Sequence, residues 1–184
     1  MLAVAVASTI VLAAFTANKT ATTTIQFGGG LTIDVSNITQ KGDSSTTEYY
    51  WNAKVDGKAV TNYTSIDKAN TNIEFQPISL NVNSESSVKE AYVITYVDIK
   101  VDNTAQTLTP ENGWFSLGNG YYLLGTDTTT ATKLTTAQVP FVTAYTVTAT
   151  DALAGKDVVA TFKTWAIDAN AESALSTLKT NAGL

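Results

Sequence analysis

From Ala91 to Val101 the chain reads Ala-Tyr-Val-Ile-Thr-Tyr-Val-Asp-Ile-Lys-Val, with bulky β-branched residues at every second position. Val93, Thr95, Val97, Ile99 and Val101 fall on one face of an extended strand. Tyr92, Ile94, Tyr96, Asp98 and Lys100 fall on the other, which turns polar only toward its end. A second run, Val158 to Ile167, behaves alike, with Ala160, Phe162, Thr164 and Ala166 sharing one side. Further strand patterns recur at Ile25–Phe27, Leu31–Val35, Glu48–Val55, Lys58–Tyr63, Ile73–Val82, Gly113–Leu117, Tyr121–Leu124 and Val142–Thr150. Asp56-Gly57 and Asn119-Gly120 are dipeptides suited to the positive φ angles of tight hairpins. Some eight or nine short strands separated by turns predict an all-β chain, an antiparallel sandwich or jelly roll. Only the end looks helical: Asp168 to Thr180 contains Ala169, Ala171, Ala174, Leu175 and Leu178, with Asp168 or Asn170 as the N-cap.

The N-terminal fifteen residues, MLAVAVASTIVLAAF, carry no charge. No basic segment precedes the apolar run, as a secretory signal would have. Residues 2–15 as a helix would cover only about 21 Å of a hydrocarbon layer about 30 Å thick. Through residue 7 large and small residues alternate, Leu2, Val4 and Val6 against Ala3, Ala5 and Ala7, and Ile10 and Leu12 continue the bulky face. That is the period of a strand with one bulky and one slim side. A retained arm of this kind has to be buried, and about twelve extended residues reach roughly 40 Å, enough to lie along a neighbouring molecule. Thr20 to Thr24 and Ile25-Gln26-Phe27 follow, and Gly28-Gly29-Gly30 then form a hinge before Leu31. The expected organisation is an arm and donor strand over 1–27 and a single jelly-roll domain over 28–184, with no internal repeat.

Composition narrows the chemistry. The chain of 184 residues has no histidine and no cysteine, and all 11 of its basic residues are lysine. Ser-His-Asp and Cys-His nucleophile pairs, Cys/His zinc sites, disulfides and arginine clamps are therefore ruled out. Neither catalytic residues, a cofactor site nor a metal site can be named. A net charge of −5, with no lysine cluster, argues against a nucleic-acid partner. The chain is rich in threonine and only 15% charged, which suits an extracellular surface. Three N-x-[ST] sequons, at Asn18, Asn37 and Asn62, are candidate glycosylation sites if the chain is exported.

The order of Ala13-Ala14-Phe15, then Phe27-Gly28-Gly29-Gly30-Leu31-Thr32-Ile33-Asp34, then Gly113-Trp114 through Gly120-Tyr121-Tyr122, resembles the TasA/camelysin family of secreted jelly-roll proteins and their archaeal relatives, the bundling-pilus subunits. The resemblance implies a homopolymeric pilus or biofilm filament at the cell surface. In it each N-terminal arm completes the sheet of the next subunit, and neighbouring filaments are candidate further partners. In bacterial members the apolar stretch before the Ala-Ala-Phe tripeptide is removed as a signal, whereas here it stands in the chain. The protease activity behind the name camelysin is not carried over, because the usual zinc ligands are missing.

Donor-strand assembly also follows from the residues themselves: a sheet short of one strand exposes backbone groups and an apolar groove, and an apolar arm satisfies both. Leu2, Val4, Val6, Ile10 and Leu12 are the expected donor side chains. One alternative is an archaeal type IV pilin or archaellin-like subunit whose N-terminus is a helix in a filament core, but Thr20 to Thr24 would continue such a helix poorly. Another is a secreted carbohydrate-binding or adhesive module, or a glycosidase, with Tyr49, Tyr50 and Trp51 stacking on sugar rings. The plainer reading makes those three aromatics core or interface residues. The acidic residues form no DxDxDG-type calcium loop.

Overall fold

A computed structural model describes residues 21–42, 47–67 and 72–184. In chain order the elements are β1 (Thr22–Gln26), β2 (Thr32–Ser36), β3 (Ile38–Gln40), β4 (Tyr49–Trp51), β5 (Ala53–Val55), β6 (Lys58–Val60), β7 (Asn72–Phe75), β8 (Ile78–Val82), β9 (Ala91–Val101), β10 (Thr104–Ala105), β11 (Trp114–Gly118), β12 (Tyr121–Leu124), β13 (Val139–Val142), β14 (Tyr145–Thr148), β15 (Val158–Asp168) and α1 (Ala174–Ala182). The protein is all-β and sandwich-like, with antiparallel sheets and one short C-terminal helix.

The widest sheet has the order β11-β12-β9-β15-β4-β3, with β10 also paired to β9. Its spine is the ladder between the two strands whose alternation was most regular: β9 and β15 pair over their full lengths, from Val158 opposite Val101 to Asp168 opposite Ala91. Val93, Thr95, Val97, Ile99 and Val101 are all buried on its inner face. On the outer face Ile94 and Leu123 are buried as well, because Leu178 and Ala182 of α1 pack over them.

Opposite lie two four-stranded sheets, β1-β2-β8-β13 and β14-β7-β5-β6. They share one bent ribbon. β8 pairs with β13 and β7 with β14 in a nearly continuous register, Leu80 opposite Val139 and Phe75 opposite Tyr145. A single core cluster takes residues from all three sheets, among them Ile33, Trp51, Phe75, Leu80, Val97, Phe141 and Phe162.

Several strands expected to be continuous are divided where the chain passes between sheets. Glu48–Val55 breaks at Asn52 and Ile73–Val82 at Gln76-Pro77, while the 142–150 pattern is reduced to β14 and the strand before it, β13, was not expected. Backbone groups freed at these corners are re-paired: Asn52 N–H donates to Asn37 O (2.9 Å), Gln76 N–H to Asn52 O (2.9 Å), and the Trp51 indole to Gln76 O (2.6 Å). These bonds offset part of the cost of leaving the ladders at Asn52 and Gln76. The C-terminal helix also begins later than expected. Asp168 ends β15, and its carboxylate accepts from the Asn170 N–H (2.9 Å), which turns the chain before the helix rather than capping it; Ser173 holds the N-cap position.

Candidate assembly surfaces

The donor residues Leu2, Val4, Val6, Ile10 and Leu12, and the sequon residue Asn18, lie outside the described residues. The described chain begins beside β1, which pairs with β2 of the same molecule, Ile25 opposite Ile33. On this side the sandwich is closed. The Asn37 N–H donates to Ala21 O (2.6 Å) and the Thr23 hydroxyl to Ile38 O (2.8 Å), so β1 is stitched to β3 of the wide sheet.

Gly28, Gly29 and Gly30 form the turn of the β1–β2 hairpin. Gly29 and Gly30 have φ of 73° and 79°, the left-handed region that side chains with a Cβ avoid. Gly30 O accepts from the Ser87 N–H (3.2 Å) and from the Ser86 and Ser87 hydroxyls (both 3.1 Å). The turn is thereby pinned to the loop that follows β8.

The opposite side of the sandwich is closed along one half and open along the other. Beside β13 the chain before β11 covers the sheet edge: the Glu111 N–H donates to Phe141 O (2.8 Å), and the Trp114 indole to Pro140 O (2.9 Å). Beside β14 there is instead a groove of about 450 Å³, lined by Tyr145–Thr148 on one wall and by Val101, Thr104, Gln106 and Leu153. Val147 is buried and Tyr145 half-buried, so β14 turns an apolar side inward while its outer backbone edge faces the groove. A second cavity of about 350 Å³ runs along β9 between β12 and β10, and Gln106 lines both. Sequence periodicity located a strand here but carried no sign that it would be an edge.

The aromatic triplet divides by strand face. Tyr49 and Trp51 are buried in the core, with Trp51 tilted against Phe75 at 5.2 Å, which leaves neither ring to stack on a ligand. Tyr50 is half-buried on the outer face, with Lys41 5.6 Å from its ring centre. An outer-face row runs on from there. Lys163 bonds Glu48 (2.6 Å) and lies 5.9 Å from the Tyr96 ring, and Tyr96 and Trp165 both pack against Tyr121. The Lys163 hydrogen bond holds the Glu48 carboxyl below its ordinary range, and Lys41 acts in the same direction. No family model, curated protein or solved structure matches the chain.

The two described sequons differ. Asn37 sits at the corner between β2 and β3 with φ of 56°, and its side-chain amide donates to Pro77 O (2.7 Å) while the Thr39 hydroxyl donates to Asn52 Oδ1 (2.9 Å). Asn62 and Thr64 are exposed, two and four residues past the end of β6. Among the described residues no group of three or more carboxylates gathers as a metal site would require, and no helix is long and apolar enough to cross a membrane.

Proposed function

We propose that the chain is a noncatalytic jelly-roll subunit of an extracellular filament, and that its N-terminal arm completes the sheet of a second copy. The observation that carries this reading is the opposition of two edges. The described chain begins at Ala21, next to β1, whereas the groove lies at β14, on the far side of the layer that β13 and β14 border together. With strands about 4.8 Å apart, β1 and β13 stand about 14 Å apart across their sheet.

An arm directed outward from one edge meets the groove of a copy set in line with it. Such a contact is heterologous, joining unlike surfaces, and it propagates into a filament unless the rotation closes a ring. The alternation of Leu2, Val4, Val6, Ile10 and Leu12 offers a bulky side to Val101, Val147 and Leu153 of the groove, whose lining also includes Asp102, Thr104 and Gln106. Burying that bulky face contributes on the order of 10 kcal/mol before ordering costs. No disulfide is available to hold subunits together, so strand exchange has to supply the strength.

The test is to delete residues 1–14 and view the product by electron microscopy. Soluble monomers with the fold intact by circular dichroism are the expected result; filaments of normal appearance would overturn the reading.

A further inference from the structure

We infer that Asn62 is an N-glycan acceptor of the folded protein and that Asn37, despite an equally good sequon, is not. The inference takes export from the filament reading but rests on different atoms. A sequon is read through two groups, the asparagine amide and the hydroxyl two residues on. At Asn37 both are spent inside the fold, the amide on Pro77 O and the Thr39 hydroxyl on Asn52. The Asn37 backbone is held too, its N–H by Ala21 O and its carbonyl by the Asn52 N–H. Bringing this asparagine to an enzyme would mean opening the corner where β2 passes into β3.

Asn62 has none of these restraints. In the segment after β6, Asn62 and Thr64 are exposed on either side of Tyr63, which is half-buried against the core, so the amide and the hydroxyl are both open to solvent. Neither side chain makes a hydrogen bond among the described residues. The backbone is nonetheless fixed just beyond, where Thr64 O accepts from the Val158 N–H (2.8 Å) and Ser65 bridges to Asp157. The sequon is therefore presented beside an anchored stretch with both of its recognition groups exposed.

The modification joins Asn62 Nδ2 to the anomeric carbon of a sugar carried on a lipid phosphate. The C–N bond forms, the bond from that carbon to the phosphate oxygen breaks, the lipid phosphate leaves, and Nδ2 gives up one proton to the transferase. The glycan stands beside β6, the other free edge of the sheet that ends in β14. It bars β6 from pairing edge to edge with another sheet.

The test uses the folded protein carrying Asn18→Gln, a purified single-subunit oligosaccharyltransferase that reads N-x-[ST], and a lipid-linked oligosaccharide. Synthetic peptides spanning 30–41 and 56–66 are run in parallel. Cleavage after lysine places Asn37 in the 20–41 peptide and Asn62 in the 59–68 peptide, so mass spectrometry reads them separately. The expected result is a glycan on 59–68 of the folded protein at a rate close to that of its synthetic peptide, and none on 20–41 although its synthetic peptide is modified. Equal modification of both sites in the folded protein would overturn the inference, as would a bare Asn62 in the folded protein. The outcome is independent of polymerisation, so the filament reading can fail while this one stands.

Discussion

Thr95 and Thr164 stand opposite each other across the β9–β15 ladder, both buried, yet only one has a partner: the Thr164 hydroxyl donates to Ile94 O at 3.3 Å. Thr95 Oγ1 is sealed from solvent without a hydrogen-bond partner among the described residues. A buried hydroxyl in that state carries its desolvation cost uncompensated. Thr95→Val should therefore stabilise the protein by about 1 kcal/mol, and Thr164→Val should cost about 1 kcal/mol. Urea unfolding of the two variants checks the pair, and equal effects of one sign would contradict the assignment.

Trp114 fastens the wide sheet to the edge of the opposite layer through Pro140 O and through its edge-on contact with Phe141, ring centres 4.7 Å apart. Trp114→Phe keeps most of the ring and loses the donor, for a cost of about 1 kcal/mol. Trp114→Ala also empties the site and costs about 3–5 kcal/mol. A ratio near one between the two variants in denaturant titrations would mean that the indole contributes little packing.

The three turn glycines should respond unequally. A Cβ on Gly28 meets no atom within 4 Å and its φ is not positive, so Gly28→Ala should be close to neutral. Gly30→Ala combines a left-handed φ with a collision against the Ser87 hydroxyl and should cost about 1 kcal/mol or more. Thermal melts of the two variants separate these outcomes.

Asp127 supplies the acid response of the turn after β12. Its carboxylate accepts from the Thr129 N–H (2.7 Å) and hydroxyl (2.8 Å), which lower its pKa from 3.8 to about 2. A depressed folded-state pKa means that the contribution is present above about pH 4 and is lost as pH falls toward 2. An NMR titration should place the Asp127 midpoint near 2. Asp127→Ala should flatten the dependence of turn order on pH across that window, and an unchanged acid limb in the variant would assign the response to other groups.

If β14 accepts the arm, a synthetic peptide of residues 1–14 with a lysine tail should bind protein from which those residues are deleted. Binding to the native state alone raises stability by about 2.7 kcal/mol at a hundredfold excess over Kd. Amide exchange should slow along Tyr145–Thr148. Protection confined to Lys58–Val60 would place the acceptor at the other edge, and a peptide carrying Val4→Asp and Val6→Asp should do neither.

Much of this fold could be read from local pattern. The alternation of 91–101 and of 158–167 located two strands and their inward residues because both are long and have one face on the core; that they pair with each other was not legible. Asp56-Gly57 and Asn119-Gly120 both take positive φ at each residue, as their turn chemistry requires. The corners were not legible. Asn52 and Gln76-Pro77 interrupt runs of strand formers, and what makes the chain turn there is pairing with residues distant in sequence, such as Ser36 with Ser79 (3.0 Å, 43 residues apart). The groove escaped detection for the same reason, since an edge is defined by where neighbouring strands stop. The sequons looked equivalent until the Asn37 amide was seen to be committed to Pro77.

The ladder between β9 and β15 has a consequence for how the chain is made. Thr164 and the Ile94 carbonyl it binds are 70 residues apart, and β15 is the last of the described strands in chain order. The wide sheet therefore has no spine until β15 has been made, and closing it requires contacts of high sequence separation, which form slowly. A nascent chain of this design leaves β9 without its long partner while the residues between Val101 and Val158 are made, and its core closes only when β15 arrives.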